Sequence, residues 1–265
     1  MFRRSLLLAL LASSIALRAD DPPAPLTKEE IASASSSEII SMPMPGELFA
    51  ALGKLGKPDW SAMLRKTPSS AFTSRQQIAL NLGTLIADGY LAVEAQDAQQ
   101  VKNVSKDIKA LAKALGVEQD LISRANSIVE FADKGKWDTL KEELEATQNE
   151  VVAAMLAHQD QELVTFVMLG GWLRGVEVVS AYLSTHYSEA GARVLRQPAV
   201  VDHFVQQLGA MPKKLTATPV VSGVSKALFE IKSMVTFSTT GTPGEDDVKK
   251  LSELAATAIK IISTK

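Results

Sequence analysis

Apolar positions recur three or four residues apart almost without interruption from residue 46 onward, as they do on one face of a helix. No run shows the strict alternation and turn chemistry of a β-strand or hairpin. The pattern predicts helices at about 46–56, 74–97, 98–115, 118–134, 138–157, 160–187, 198–210, 216–237 and 243–263. We therefore expect an all-α fold, a multi-helix bundle.

Two of the predicted helices differ from the amphipathic remainder. Residues 78–95 and 163–183 are apolar on nearly every face, which is typical of a buried central helix or of a membrane span. The first carries Asp88, and the second carries Arg174 and Glu177. Such charges are rare in spans, so we expect two central helices at the core of the bundle and no transmembrane segment in the mature chain.

The two central segments also resemble each other weakly. Leu82–Gly89 reads LGTLIADG and Leu169–Gly175 reads LGGWLRG. An internal duplication would explain the likeness, and the short match leaves that question open. Glycine inside a helix costs about 0.5–1 kcal/mol relative to alanine, so we expect Gly83, Gly170 and Gly171 to allow two helix backbones to approach closely.

Helix termini are indicated by capping residues at several boundaries. Gly116 follows Leu115 as a glycine that ends a helix in the left-handed conformation should. Three pairs have the spacing of a capping box: Ser74 with Gln77, Thr139 with Glu142, and Thr242 with Glu245.

The first nineteen residues have the order of a secretory signal peptide. Arg3 and Arg4 precede an apolar run at 6–17, and cleavage could follow Ala16 or Ala19. We expect residues 1–19 to be a signal peptide, 20–45 a flexible linker rich in proline and serine, and 46–265 a single helical domain. The protein would then be exported, to the periplasm or the extracellular space.

Charge argues against nucleic-acid binding. The net charge is −2, and removing residues 1–19 would lower it to about −5, because three arginines and no acid lie there. The most basic run places Lys102, Lys106, Lys109 and Lys113 along one side of a helix. That run is either a solvated face or a contact for an anion or lipid.

Recognised catalytic and cofactor motifs are missing from the sequence. There is no cysteine, which excludes disulfides, thiolate metal sites and cysteine nucleophiles. The G-x-S-x-G and P-loop patterns are absent. His158 and Glu162 have the spacing of two metal ligands but lack a third partner and the H-E-x-x-H arrangement. We expect no cofactor and no metal.

A polar stripe on the first central helix is the sharpest chemical signal. Gln77, Asn81, Thr84 and Asp88 are spaced four, three and four apart and so lie on one face. Arg174 and Glu177, on the second central helix, are their counterpart. Two interpretations are open: a pocket in which Asn81, Thr84, Asp88, Arg174 and Glu177 recognise a small polar ligand, or an internal Asp88–Arg174 ion pair that fixes helix register.

Three functional hypotheses follow. The leading one is an exported, non-enzymatic binding or scaffolding protein for a small polar ligand or an envelope protein. The second is a helical enzyme whose site lies between the central helices, with Asp88 as base and Arg174 as anion clamp. The third is an accessory or sensor subunit whose outer helices dock another envelope protein.

Overall fold

The computed structural model describes residues 44–66, 72–118, 122–235 and 241–264, and about four-fifths of these residues are helical. Within those ranges there is no β-strand, so the all-α prediction is confirmed. The predicted signal peptide, and the linker up to residue 43, lie outside the described residues. The helices are α1 Pro45–Leu55, α2 Arg75–Glu94, α3 Ala98–Leu115, α4 Ile122–Asp133, α5 Trp137–Ala157, α6 Gln161–Leu183, α7 Glu189–Val194, α8 Pro198–Ala210, α9 Lys213–Thr216, α10 Pro219–Val235 and α11 Glu245–Ser263.

The core forms around α2 and α6, the two helices that the sequence marks as apolar on every face. These helices pack against each other more extensively than any other pair, and every residue from 78 to 93 is buried. Helix α3 covers α2, α11 covers α6, and α1 lies against both central helices. Helices α4 and α5 pack in series beyond α3, and α10 packs on α11.

Helix α6 has a composition that also suits a lipid environment. Among the described residues it is the one helix long and apolar enough to cross a membrane. However, 89% of its most apolar stretch is buried inside the protein. Its apolar surface is therefore covered by α1, α2 and α11.

Two glycines set the contact between the central helices. A Cβ added to Gly83 would lie 1.9 Å from the carbonyl oxygen of Val167, and one added to Gly170 would lie 2.0 Å from that of Leu80. No other residue type fits at these distances without a backbone shift. The close approach expected from the sequence is confirmed for Gly83 and Gly170, whereas a Cβ added to Gly171 would lie 3.3 Å from the carbonyl oxygen of Gly83, a looser contact.

The helix termini confirm some capping predictions and correct others. The Ser74 hydroxyl accepts a hydrogen bond from Gln77 N, and Gly116 ends α3 with φ of 87°. The prediction for Thr139 is wrong, because α5 begins two residues earlier at Trp137. The prediction for Thr242 is also wrong: α11 begins after Gly244, whose amide donates to the Asp247 carboxylate.

The sequence pattern missed the 3₁₀ helix Ser61–Met63 and two short α-helices, α7 and α9. The two α-helices have six and four residues, too few for the 3.6-residue period to appear. Both lie in segments that the pattern predicts as connections between longer helices.

Candidate functional site

Gln77 and Asn81, the first two residues of the polar stripe, form hydrogen bonds to the C-terminus of α11. Gln77 Nε2 donates to the carbonyls of Ile262 and Thr264 at 3.0 and 2.7 Å, and Asn81 Nδ2 donates to that of Ile262 at 2.7 Å. The last carbonyls of a helix have no partner within it, so the two amides cap the C-terminus of α11. The Thr84 hydroxyl donates to the carbonyl of Asn81, within α2 itself.

Asp88 lies between two arginines. Its Oδ1 accepts a hydrogen bond from Arg174 Nε at 2.7 Å, and its Oδ2 accepts one from Arg65 Nε at 2.8 Å. The side chains of Asp88 and Arg174 are each 5% exposed and that of Arg65 is 20% exposed. The Asp88–Arg174 contact considered from the sequence is formed, with Arg65 as a second partner.

Arg174 makes contacts on its other edges as well. Nη1 donates to Glu177 at 2.8 Å and Nη2 to the carbonyl of Met63 at 3.1 Å. Burial alone would lower the pKa of Arg174, but the negative charges of Asp88 and Glu177 outweigh burial and raise it. We call Arg65, Asp88, Arg174 and Glu177 the charge network; it holds two positive and two negative groups.

A surface pocket opens at one end of the charge network. It has a volume of about 540 Å³ and lies between the second half of α6 and the segment 57–63. We call it the Arg174 pocket. Arg174 and Glu177 line it on one side, and Lys57 and Asp59 line it on the other. Both walls therefore present one positive and one negative group.

A pair of stacked rings forms another part of the lining. The rings of Tyr182 and His186 lie 4.4 Å apart between centroids and 5° from parallel. The contact follows from their spacing of four residues at the end of α6, which brings two side chains to the same side. Such a pair presents a flat apolar surface with polar edges.

The five ligand-binding candidates from the sequence occupy two different places. Arg174 and Glu177 line the Arg174 pocket, whereas Asn81 Nδ2 and the Thr84 hydroxyl donate to backbone carbonyls away from it, and Asn81 Oδ1 is buried without a partner in the described structure. Asp88 does not line the pocket and contacts it only through its hydrogen bond with Arg174. A ligand-binding role for these residues is still a prediction, and the structure links three of them through the charge network.

Sequence reasoning missed the residues that come from the loop after α1. Lys57, Asp59, Met63 and Arg65 belong to a segment whose one helical element, the 3₁₀ helix Ser61–Met63, is too short to show a period in the sequence. Tyr182 and His186 did have a signal, namely their spacing of four.

A separate cavity under α4 is apolar but small. It lies among Ile108, Ile128 and Leu144 and has a volume of about 30 Å³. Ligand sites for small molecules usually have about 300–1,000 Å³, so this cavity is below the size of an organic ligand. Gln148 Oε1 is buried beside it without a hydrogen-bond partner in the described structure.

A metal centre finds no support in the described ranges, where no three His, Asp or Glu side chains are grouped closely enough to hold an ion. Comparisons with models of protein families, with curated proteins and with solved structures found no match.

Proposed function

We propose that this protein is an exported binding protein whose Arg174 pocket takes a small polar ligand. The observation that carries the proposal is a pocket of about 540 Å³ whose charged wall, Arg174 and Glu177, is anchored from behind by Asp88. The volume lies within the usual range for small-molecule sites. Anchored charges are already in their binding geometry, so little order has to be gained when a ligand arrives.

The lining indicates the class of ligand. Lys57 suits an anionic group, which the positive charge of the buried Arg174 also favours, and Asp59 and Glu177 suit a cationic one. The Tyr182–His186 ring pair suits a planar group that can stack. The pocket therefore favours a zwitterion with an aromatic ring, of which a free aromatic amino acid is the simplest example.

The enzyme alternative has less support from the same residues. Asp88 is not among the residues that line the Arg174 pocket, and both of its carboxylate oxygens accept hydrogen bonds from arginines, so it does not face a substrate bound there. The Thr185 hydroxyl lies 2.9 Å from His186 Nδ1 at the pocket, but the same nitrogen lies 3.3 Å from the carbonyl oxygen of Tyr182. A nitrogen that donates to that carbonyl cannot accept the Thr185 proton, and no carboxylate in the described part of the chain lies within 4 Å of His186. A nucleophile without an oriented base is poorly activated.

The docking alternative would require an exposed apolar patch. Among the described residues, the exposed large apolar side chains are Leu55 and Phe229, at 45% and 69% exposure. They belong to different helices, α1 and α10, and single exposed apolar residues are ordinary. We therefore favour the ligand-binding hypothesis.

The test is a thermal-shift titration of the full chain with tryptophan, phenylalanine and alanine. A ligand that binds the native state raises the melting temperature by mass action. At a ligand concentration of a hundred times Kd, the free energy of unfolding increases by about 2.7 kcal/mol. We expect shifts that grow with the logarithm of concentration for the two aromatic amino acids, and a smaller shift with alanine at equal concentration.

Two matched variants locate the site. His186→Ala should reduce the shift, whereas His158→Ala, which changes another exposed histidine near a helix end, should leave it unchanged. Glu177→Gln should weaken binding of the ligand ammonium. Equal shifts in His186→Ala and His158→Ala would argue against the Arg174 pocket, and no shift with any of the three amino acids would rule out this ligand class.

Export is the second part of the proposal and has its own test. If residues 1–19 are a signal peptide, mature protein from its host should begin near Leu17 or Asp20. N-terminal sequencing decides this, and abundant protein with Met1 intact in the cytosol would overturn it.

A further inference from the structure

The charge network has a second end, at Arg65. Arg65 Nε donates to Asp88 Oδ2 at 2.8 Å, and its Nη1 donates to Ser263 Oγ at 3.4 Å. Its Nη2 lies 2.8 Å from Asp88 Oδ2 as an ion pair but is buried without a hydrogen-bond partner in the described structure. Its exposed fifth lines a surface pocket of about 380 Å³, which we call the Arg65 pocket. The other lining residues are Lys66, Gln100, Asn103, Lys106 and Asp107.

The Arg65 pocket is predominantly positive. It has three cationic side chains, Arg65, Lys66 and Lys106, against one carboxylate, Asp107. Arg65 shares its acid with Arg174, so the single charge of Asp88 is divided between two guanidinium groups. An anion in this pocket would meet an excess of positive charge.

Lys106 differs from its neighbours in the basic run on α3. Lys102 forms an ion pair with Asp133, and Lys109 lies 3.9 Å from Glu118. For Lys106, as for Lys66, no carboxylate lies within 4 Å in the described ranges. Within the described residues, the basic run is therefore neutralised at Lys102 and Lys109 but not at Lys106, where it meets Arg65, nor at Lys113, which lies outside the pocket.

Neutral donors complete the lining. Gln100 and Asn103 are spaced three apart on α3, with Lys106 three residues further, so all three share one side of the helix. Asn103 Nδ2 donates to Gln100 Oε1 at 3.3 Å, which orients the Gln100 amide so that its N–H groups are turned away from Asn103. Guanidinium, ammonium and amide donors around one small space are the groups that bind oxyanions.

We propose that the Arg65 pocket is a binding site for a small oxyanion, such as phosphate or a phosphomonoester. It is distinct from the Arg174 pocket and does not depend on the ligand proposed there. Its volume admits one anionic group with a small substituent, and the acidic net charge of the chain argues against a polyanion such as nucleic acid.

The position of Asp88 links this site to the Arg174 pocket, a step that rests on the proposed function. An oxyanion that binds Arg65 competes with Asp88 for the same guanidinium. Asp88 then interacts more strongly with Arg174, which lines the other pocket. By thermodynamic reciprocity, each ligand changes the affinity of the other.

The experiment is a titration of the full chain with sodium phosphate at constant pH and ionic strength, with chloride as the balancing anion. NMR signals of the arginine Nε–H groups report on Arg65 and Arg174 separately. We expect the Arg65 signal to shift saturably with phosphate and not with chloride, and the Arg174 signal to shift with the same phosphate dependence.

Variants on exposed positions of α3 give a matched comparison without disturbing the core. Lys106→Gln should weaken phosphate binding about tenfold, because it removes a charged donor. Lys113→Gln removes the same charge from the same helix outside the pocket and should leave the affinity unchanged. Lys66→Gln provides a second test from the loop side.

The possible outcomes separate clearly. Equal phosphate affinity in Lys106→Gln and Lys113→Gln, or an equal response to chloride, would overturn the site. A shift of Arg65 with no shift of Arg174 would overturn the linkage. Because no amino-acid ligand is present, failure here is distinguishable from failure of the Arg174 pocket. Binding of phosphatidic-acid vesicles in place of free phosphate, with the same dependence on Lys106, would identify a lipid headgroup as the source of the oxyanion.

Discussion

Gly83 and Gly170 occupy equivalent places in the contact between α2 and α6. Each faces the carbonyl oxygen of the residue three positions before the other: Gly83 faces that of Val167, and Gly170 faces that of Leu80. This reciprocal contact has the form of a local twofold axis. It also matches the weak likeness between the sequences around the two glycines, in which Leu82-Gly83 aligns with Leu169-Gly170.

The first prediction tests this contact. Gly170→Ala should lower the free energy of unfolding by about 3 kcal/mol, because the new methyl group would lie 2.0 Å from a carbonyl oxygen that cannot move alone. Chemical denaturation measures the change. Gly209→Ala is the control: it lies in α8 with nothing within 4 Å of the added atom, and it should stabilise the protein by about 0.5 kcal/mol. Equal midpoints for Gly170→Ala and the wild type would contradict the close approach.

The second prediction concerns the charge network. Asp88→Asn should destabilise the protein by about 3–5 kcal/mol, since it leaves two arginines without their shared acid. Arg174→Met should have a smaller effect, because Asp88 keeps Arg65. The double variant should lose less than the sum of the two losses.

Denaturation of the four proteins in this cycle measures the coupling. Arg193→Met is the control, since its ion pair with Glu189 is exposed and should contribute little. Strict additivity of Asp88→Asn and Arg174→Met would mean that the two side chains do not interact in solution.

The third prediction is a pH dependence. Burial, with smaller effects from the charges of Glu145 and Glu47, raises the pKa of Tyr90 above its ordinary value of 10.0. The contribution of the neutral phenol is complete below the unfolded-state pKa and is lost as the pH rises towards the folded-state pKa, because only the unfolded chain then releases the proton. Stability should therefore fall above about pH 10. Denaturation in alkaline buffers should show a shallower fall for Tyr90→Phe, and an identical slope would refute the assignment.

The fourth prediction concerns the cap on α11. Asn81→Ala should cost about 2 kcal/mol, because the carbonyl of Ile262 loses a buried donor. Hydrogen exchange of the amides in the last turn of α11 should become faster. Thr84→Val is the control, since the Thr84 hydroxyl bonds only within α2 and the helix cap is left intact. Unchanged exchange in Asn81→Ala would show that Gln77 alone holds the helix end.

Local sequence predicted the long helices of this fold but not the short helices α7 and α9. The 3.6-residue period predicted α3 and α8 at their observed bounds, because an amphipathic stripe and its capping residues are properties of neighbouring positions. Residues 78–95 and 163–183 were identified as central because they are apolar on nearly every face, with only a narrow polar stripe on the first. The Thr139 and Thr242 caps failed because a spacing of three fits more than one start. Helix α5 begins at Trp137, and α11 begins after Gly244, whose amide donates to Asp247.

Only the tertiary structure decided what the polar groups do. Asp88 and Arg174 could be chosen from sequence as a pair, because buried charges need partners. Arg65 could not be chosen, since it reaches Asp88 from an irregular loop 23 residues away. The sequence alone thus determined which helices are buried, through periodicity. The pockets, by contrast, depend on distances between residues far apart in the chain, which no local pattern encodes.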